Sequence, residues 1–219
     1  MNVVVHRYNI DRVDRILDMA ADLEADHIEL ANTHYYGWAW RNRDGLLPSR
    51  AQLERAEATA RATWSRLGDG TEIIHVVPDY YRRYPQPCMG GWARRELTVM
   101  PNGAVLPCPT AHALPLPRAS VREHPLAWIW ERSPLFQRFR GTGWMPDPCR
   151  SCDRHEVDFG GCRCQAFPLT GDAARTDPVC HLSPNHGLVA AAVQAASSRP
   201  RPNGTQLAFR AHTGRMRKS

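Results

Sequence analysis

Cysteine is missing from residues 1–87 of this 219-residue chain, and lysine occurs only at position 218. The first absence removes thiolate-bound metals from the leading part of the chain. The second leaves arginine as almost the whole cationic complement, a bias that codon composition explains without any nucleic-acid partner, despite a net charge of +6. Long apolar runs are lacking too: nothing approaches the roughly 20 residues needed to cross a bilayer. Met1 is followed by Val3-Val4-Val5 with no basic stretch, long apolar stretch or small-residue cleavage site, so no secretory signal is read. Together these absences predict a cytoplasmic protein with neither membrane nor nucleic-acid partners. In a reducing compartment clustered thiols read as metal ligands before they read as disulfides, and an odd total of seven cannot pair completely.

What is present falls into three parts, expected at 1–87, 88–187 and 188–219. The first alternates strand and helix. A strand over Val3–His6 precedes a helix with Asn9 as N-cap and Val13, Ile16, Leu17, Ala20 and Leu23 at helical spacing. A second strand runs over His27–Leu30. Ser49 and Gln52 form a capping box opening a helix that carries Leu53, Ala56, Ala60, Trp64 and Leu67, stopped by Gly68-Asp69-Gly70, with a third strand over Glu72–Val77. The β-α-β-α-β order predicts an α/β fold with parallel strands and three post-strand loops on one rim. The middle loop, Asn32 to Trp38, reads either as a wall for a substrate or as ordinary aromatic packing.

The later parts change style. Segments 96–100 and 104–106 flank Pro101-Asn102-Gly103, which predicts a hairpin that carries Cys108 back toward Cys88. Leu126, Ile129, Trp130, Leu135, Phe136 and Phe139 suggest helix, restarted at Ser133-Pro134. Little regular structure is expected from Asp147 to His181, where Pro, Gly, Asp and Cys dominate; so long a loop calls for metal ligation to order it. A short helix over Leu188–Ala196 precedes a tail in which Arg199, Arg201, Arg210, Arg215, Arg217 and Lys218 sit among Pro, Gly, Thr and Ser. That composition predicts disorder, with an acidic partner as the alternative.

Five of the seven cysteines lie between 149 and 180. Cys149-x2-Cys152 places two sulfurs on one turn, and Cys162-x-Cys164 is tighter still. With Cys88, Cys108 and Cys180 these make seven soft, anionic donors suited to iron-sulfur clusters or zinc. One four-ligand site leaves three thiolates, and Asp158 stands near enough in the chain to complete a second.

The string Cys88-x14-Gly103-x4-Cys108, then Cys149-x2-Cys152-x5-Asp158-x3-Cys162, then Cys180, resembles the SPASM domain of radical SAM enzymes. Asp158 where most such domains have cysteine, the extra Cys164, and the segments 31–39 and 169–174 resemble the PqqE family of peptide cyclases from pyrroloquinoline quinone biosynthesis, over roughly residues 1–190. The resemblance implies part of a parallel (β/α) barrel followed by an irregular, hairpin-containing iron-sulfur domain. It implies two auxiliary clusters of 4Fe-4S or 2Fe-2S type, one held by Cys88, Cys108, Cys162 and Cys164, the other by Cys149, Cys152, Asp158 and Cys180. In that family a third cluster, 4Fe-4S and bound by CxxxCxxC, cleaves S-adenosylmethionine. The resulting radical joins Glu and Tyr side chains of the PqqA peptide, delivered by the chaperone PqqD, with electrons from an external donor. This chain has no CxxxCxxC, so it is expected to correspond to the carboxy-terminal part and to be inactive alone. The resemblance names no catalytic residue here. A structural zinc module binding a partner is the alternative, and a disulfide-stapled domain a third reading.

Overall fold

The computed structural model describes residues 1–67, 72–76, 78–198 and 207–209; the Gly68-Asp69-Gly70 stop and the arginine-rich tail lie outside them. The chain divides into two compact units, Met1–Val76 with Ala195–Ser219, and Val77–Gln194.

In the first unit three parallel strands, β1 (Asn2–Val5), β2 (His27–Asn32) and β3 (Glu72–His75), pair in the order β1-β2-β3. Val5 stands opposite Asn32 and Leu30 opposite His75. The crossovers are α1 (Val13–Asp22) and α4 (Arg50–Leu67), which pack on one another. Val13, Leu17 and Ala20 from α1 are buried with Ile28 and Leu30 from β2, the apolar stripe that removes a helix face from water. The capping box forms as expected: Gln52 N donates to Ser49 Oγ at 3.2 Å and Ser49 N to Gln52 Oε1 at 3.0 Å.

Three expectations fail locally, the first at Leu23, which follows the end of α1 and is 67% exposed. Asn9 does not cap α1; its Oδ1 accepts from His6 N at 2.8 Å and its Nδ2 donates to Val4 O at 3.0 Å, bracing the turn before a 3-10 segment at Ile10–Arg12. An asparagine that can bond its own turn competes with the cap position. Trp64 is 52% exposed, and the inward face of α4 runs through Leu53, Ala56, Ala60 and Thr63. The loop after β2 also holds two short helices, α2 (Gly37–Arg41) and α3 (Arg43–Leu46). Its aromatics split: Tyr35 is buried, whereas Trp38 and Trp40 lie under the guanidinium groups of Arg41 and Arg43.

The second unit contains the predicted hairpin. Antiparallel β4 (Thr98–Val99) and β5 (Val105–Leu106) are joined through Gly103, whose φ of +89° suits glycine and whose N donates to Met100 O at 2.8 Å. Helices α5 (Leu126–Arg132) and α6 (Pro134–Gln137) restart at Ser133-Pro134. They supply Ile129, Leu135 and Phe136 to a core that also contains Trp92, Val105, Leu106 and Phe139. Phe136 is fully buried, worth about 1.5–3 kcal/mol of transfer free energy. Cys108 and Cys164 belong to this same core.

The stretch from Asp147 to His181 is more regular than its composition suggests. It holds α7 (His155–Asp158) and α8 (Arg163–Thr170), followed further on by α9 (His186–Ser198). Between α7 and α8 the chain reverses over Phe159, Gly160 and Gly161, all at positive φ. Helix α8 ends at Gly171 in the left-handed conformation. None of the helices among the described residues is long and apolar enough to cross a membrane.

Candidate metal centre

Four cysteines arrive at one place from three segments. Cys88 opens a 3-10 turn (Cys88–Gly90), Cys108 follows β5, and Cys162 and Cys164 sit at the start of α8. Cys162 is hydrogen-bonded to both Cys164 and Cys88, and Cys164 Sγ lies 3.9 Å from Cys108 Sγ. The sulfurs thus run in the order Cys88, Cys162, Cys164, Cys108. Bonds from Cys164 and Cys88 hold the Cys162 thiol well below its ordinary range, and the bond from Cys164 lowers Cys108 to about 6 against the effect of burial. Their donors are pushed the other way, Cys88 by its bond to Cys162 and Cys164 by its bonds to Cys108 and Cys162. A metal replaces the remaining thiol protons on binding.

Cys149, Cys152, Asp158 and Cys180 line one narrow cavity, with His155, Thr176, Pro148 and Gly160 completing the wall. Burial raises the Cys149 and Cys180 thiols. Cys149 Sγ contacts Thr176 Oγ1 at 3.4 Å, and Cys152 Sγ accepts from Arg154 N at 3.4 Å. Asp158 is buried; its Oδ1 accepts from Gly160 N at 3.1 Å and its Oδ2 faces Arg154 Nε at 3.4 Å. His155 was not singled out by spacing, yet it borders the cavity with Nδ1 placed 2.6 Å from Cys152 O. All seven cysteines are free, against the disulfide reading. Among the described residues no group of three or more His, Cys, Asp or Glu side chains is already arranged round a single ion. The donor set itself, seven thiols and a buried carboxylate in two gatherings, fits thiolate-bound metal.

The SPASM family, an iron-sulfur cluster-binding domain, matches residues 88–153. A PqqA peptide cyclase from Streptomyces rochei is 52% identical over 203 residues, which cover 92% of this chain and 56% of the relative. The chain is a homologue of the PqqA peptide cyclases. A second PqqA peptide cyclase, from Granulibacter bethesdensis, is 53% identical over 196 residues, covering 89% of this chain and 52% of that protein. The chain therefore spans about half the length of the PqqA peptide cyclases it matches. Among solved structures, Streptococcus suis SuiB bound to S-adenosylmethionine shares the fold with a TM-score of 0.62 at 17% identity, over 83% of this chain and 44% of SuiB. A second crystal structure of Streptococcus suis SuiB gives a TM-score of 0.58 at 16% identity, over 83% of this chain and 45% of SuiB.

Two buried charges in this PqqA peptide cyclase homologue escaped the reading by spacing. Arg163, inside the CxC, is 1% exposed, and Asp177 is fully buried. Asp177 accepts Cys162 N at 2.8 Å, Val179 N at 3.0 Å and Gln165 Nε2 at 3.1 Å. Hydropathy and motif spacing treat both residues as surface charges; only the fold places them inside. Gly161 makes this arrangement possible. At its φ of +81° a Cβ would stand 2.5 Å from Asp177 Oδ2 and 2.6 Å from Pro85 Cβ. Gly161→Ala is therefore expected to cost roughly 2–5 kcal/mol, from left-handed strain plus overpacking, read as a lower denaturant midpoint at unchanged slope.

Proposed function

We propose that this chain holds two iron-sulfur clusters and uses them for electron transfer in a peptide cyclase that joins Glu and Tyr side chains of PqqA. The observation that carries this reading is the gathering of the eight donors: Cys88, Cys108, Cys162 and Cys164 in one linked row or core, Cys149, Cys152, Asp158 and Cys180 round one cavity. The SPASM match over 88–153 and the cyclase homologues support the same chemistry. Bound clusters would supply one-electron redox steps. The chain's own residues ligate them, exclude water and fix the local charge. Cys108 and Cys164 do so from within the apolar core, and Asp158 contributes a harder, more exchangeable donor than a thiolate. Cluster types of 4Fe-4S and 2Fe-2S are both compatible with the donors.

In this reading residues 1–87 are part of a (β/α) barrel, 88–187 the auxiliary-cluster domain and 188–219 a helix with a basic tail. S-adenosylmethionine and its 4Fe-4S cluster belong to the full-length family enzyme, as do PqqA, the PqqD chaperone and an external electron donor. The protein acts in the cytoplasm without nucleic acid or membrane. Anaerobic loading with iron and sulfide tests the metal assignment. A brown protein with broad visible absorption and stoichiometric sulfide is expected; a colourless protein that takes up only zinc would favour the structural zinc module instead.

A further inference from the structure

Arg163 is the largest of the fully buried side chains and is held entirely by carbonyl oxygens. Its Nη1 donates to Ala173 O at 2.9 Å and Arg175 O at 2.7 Å, its Nη2 to Gly160 O, and its Nε to Gly161 O at 3.4 Å. The guanidinium lies 4.7 Å from the centre of the Trp144 ring. None of these partners neutralises it. The acidic groups that act on its charge are Asp177 first, then the thiols of Cys162, Cys149 and Cys88, which come from both gatherings of ligands. Asp177 is equally shared: its carboxylate accepts the backbone N–H of Cys162, while its carbonyl accepts that of Cys180 at 2.9 Å. Four N–H to oxygen contacts on that carboxylate, from Cys162, Val179 and Gln165, suit its ionised form.

Burying two unlike charges is expensive, and an apolar pair of similar volume would often be as stable. Their placement between two sets of anionic ligands gives them another use. We propose that Arg163 and Asp177 are a built-in pair of opposite fixed charges that sets the reduction potentials of both clusters, Arg163 raising them and Asp177 lowering them. This rests on the iron-sulfur reading above. Adding an electron makes a cluster more negative, so a nearby cation favours the reduced form and a nearby anion the oxidised form. In a water-poor interior such effects are much larger than at a surface.

Redox titrations of the metal-loaded protein at pH 8, followed by visible absorption and electron paramagnetic resonance, provide the test. Arg163→Gln is expected to shift both midpoints to more negative values, and Asp177→Asn to shift both to more positive values. Arg163→Lys keeps the charge and loses the planar fork, so its midpoints should stay near those of the parent protein. Opposite signs are the diagnostic, because packing damage has no reason to reverse direction with the sign of the charge removed. If Arg163→Gln fails to fold, Arg163→Met takes its place as the charge-removing variant, and the sign of its shift is read against that of Asp177→Asn. Unmoved midpoints, or shifts of one sign in both charge-removing variants, overturn the proposal while leaving the clusters in place. A parent protein that takes up no iron overturns the iron-sulfur reading itself, and the pair's role with it.

Discussion

Cys108→Ser and Cys149→Ser are expected to erase different halves of the metal signal. Each should remove one of two spectroscopic components from the anaerobically loaded protein and leave the other, and the double variant should remove both. Cys108 closes the row that starts at Cys88 and passes through Cys162 and Cys164, so a serine there touches only that set. Cys149 lies in the cavity with Cys152, Asp158 and Cys180. Serine oxygen is harder than thiolate sulfur and a poorer ligand for iron in a cluster. Loss of the whole signal on either single substitution would mean that the eight donors serve one site or divide otherwise. Because Cys108 also belongs to the apolar core, the apoprotein's denaturation midpoint should be compared in parallel. A small change there, set against a lost cluster component, separates ligation from folding.

The first unit was readable because its signals are local. The capping box at Ser49 and Gln52 needs only four residues, and the periodicity of Val13, Leu17 and Ala20 needs only one helix. Asn9 misled because cap and turn residues use the same side-chain chemistry, and the decision depends on which backbone N–H is nearby. Trp64 misled for another reason: helical spacing proposes a face, but the sheet beneath chooses which neighbours lie on it, and here it takes Thr63 in place of Trp64. The metal donors were legible as a set from spacing. Their neighbours were not, because Arg163 and Asp177 acquire meaning only when α8 and the segment before Cys180 meet. Sequence separation hides contacts of that kind. Helices α7 and α8 were missed in turn because Pro168 and paired glycines argue against regular structure, while left-handed turns at Phe159–Gly161 and at Gly171 let two short helices fit between them.

Given S-adenosylmethionine and a strong reductant, the loaded chain is expected to release no 5′-deoxyadenosine. Reductive cleavage in the resembled family needs a cluster with one iron left open by three thiolates of a CxxxCxxC motif, and residues 1–87 contain no cysteine. Every thiol the chain has lies at or after Cys88, and each is gathered into one of the two sets described. One of those sets nevertheless offers three thiolates and a carboxylate. An iron bound by Asp158 could exchange that ligand more readily than a thiolate, which makes this set the place where unexpected cleavage would arise. Asp158→Cys is the control that separates the cases. Product from the parent chain that disappears in Asp158→Cys would assign the open iron to Asp158; product that persists would require a different iron. Chromatographic quantitation of deoxyadenosine against the reductant-free reaction reads both outcomes, and silence in parent and variant alike is the expected result, because the proposed partition caps each cluster with four ligands and would leave S-adenosylmethionine no iron to chelate.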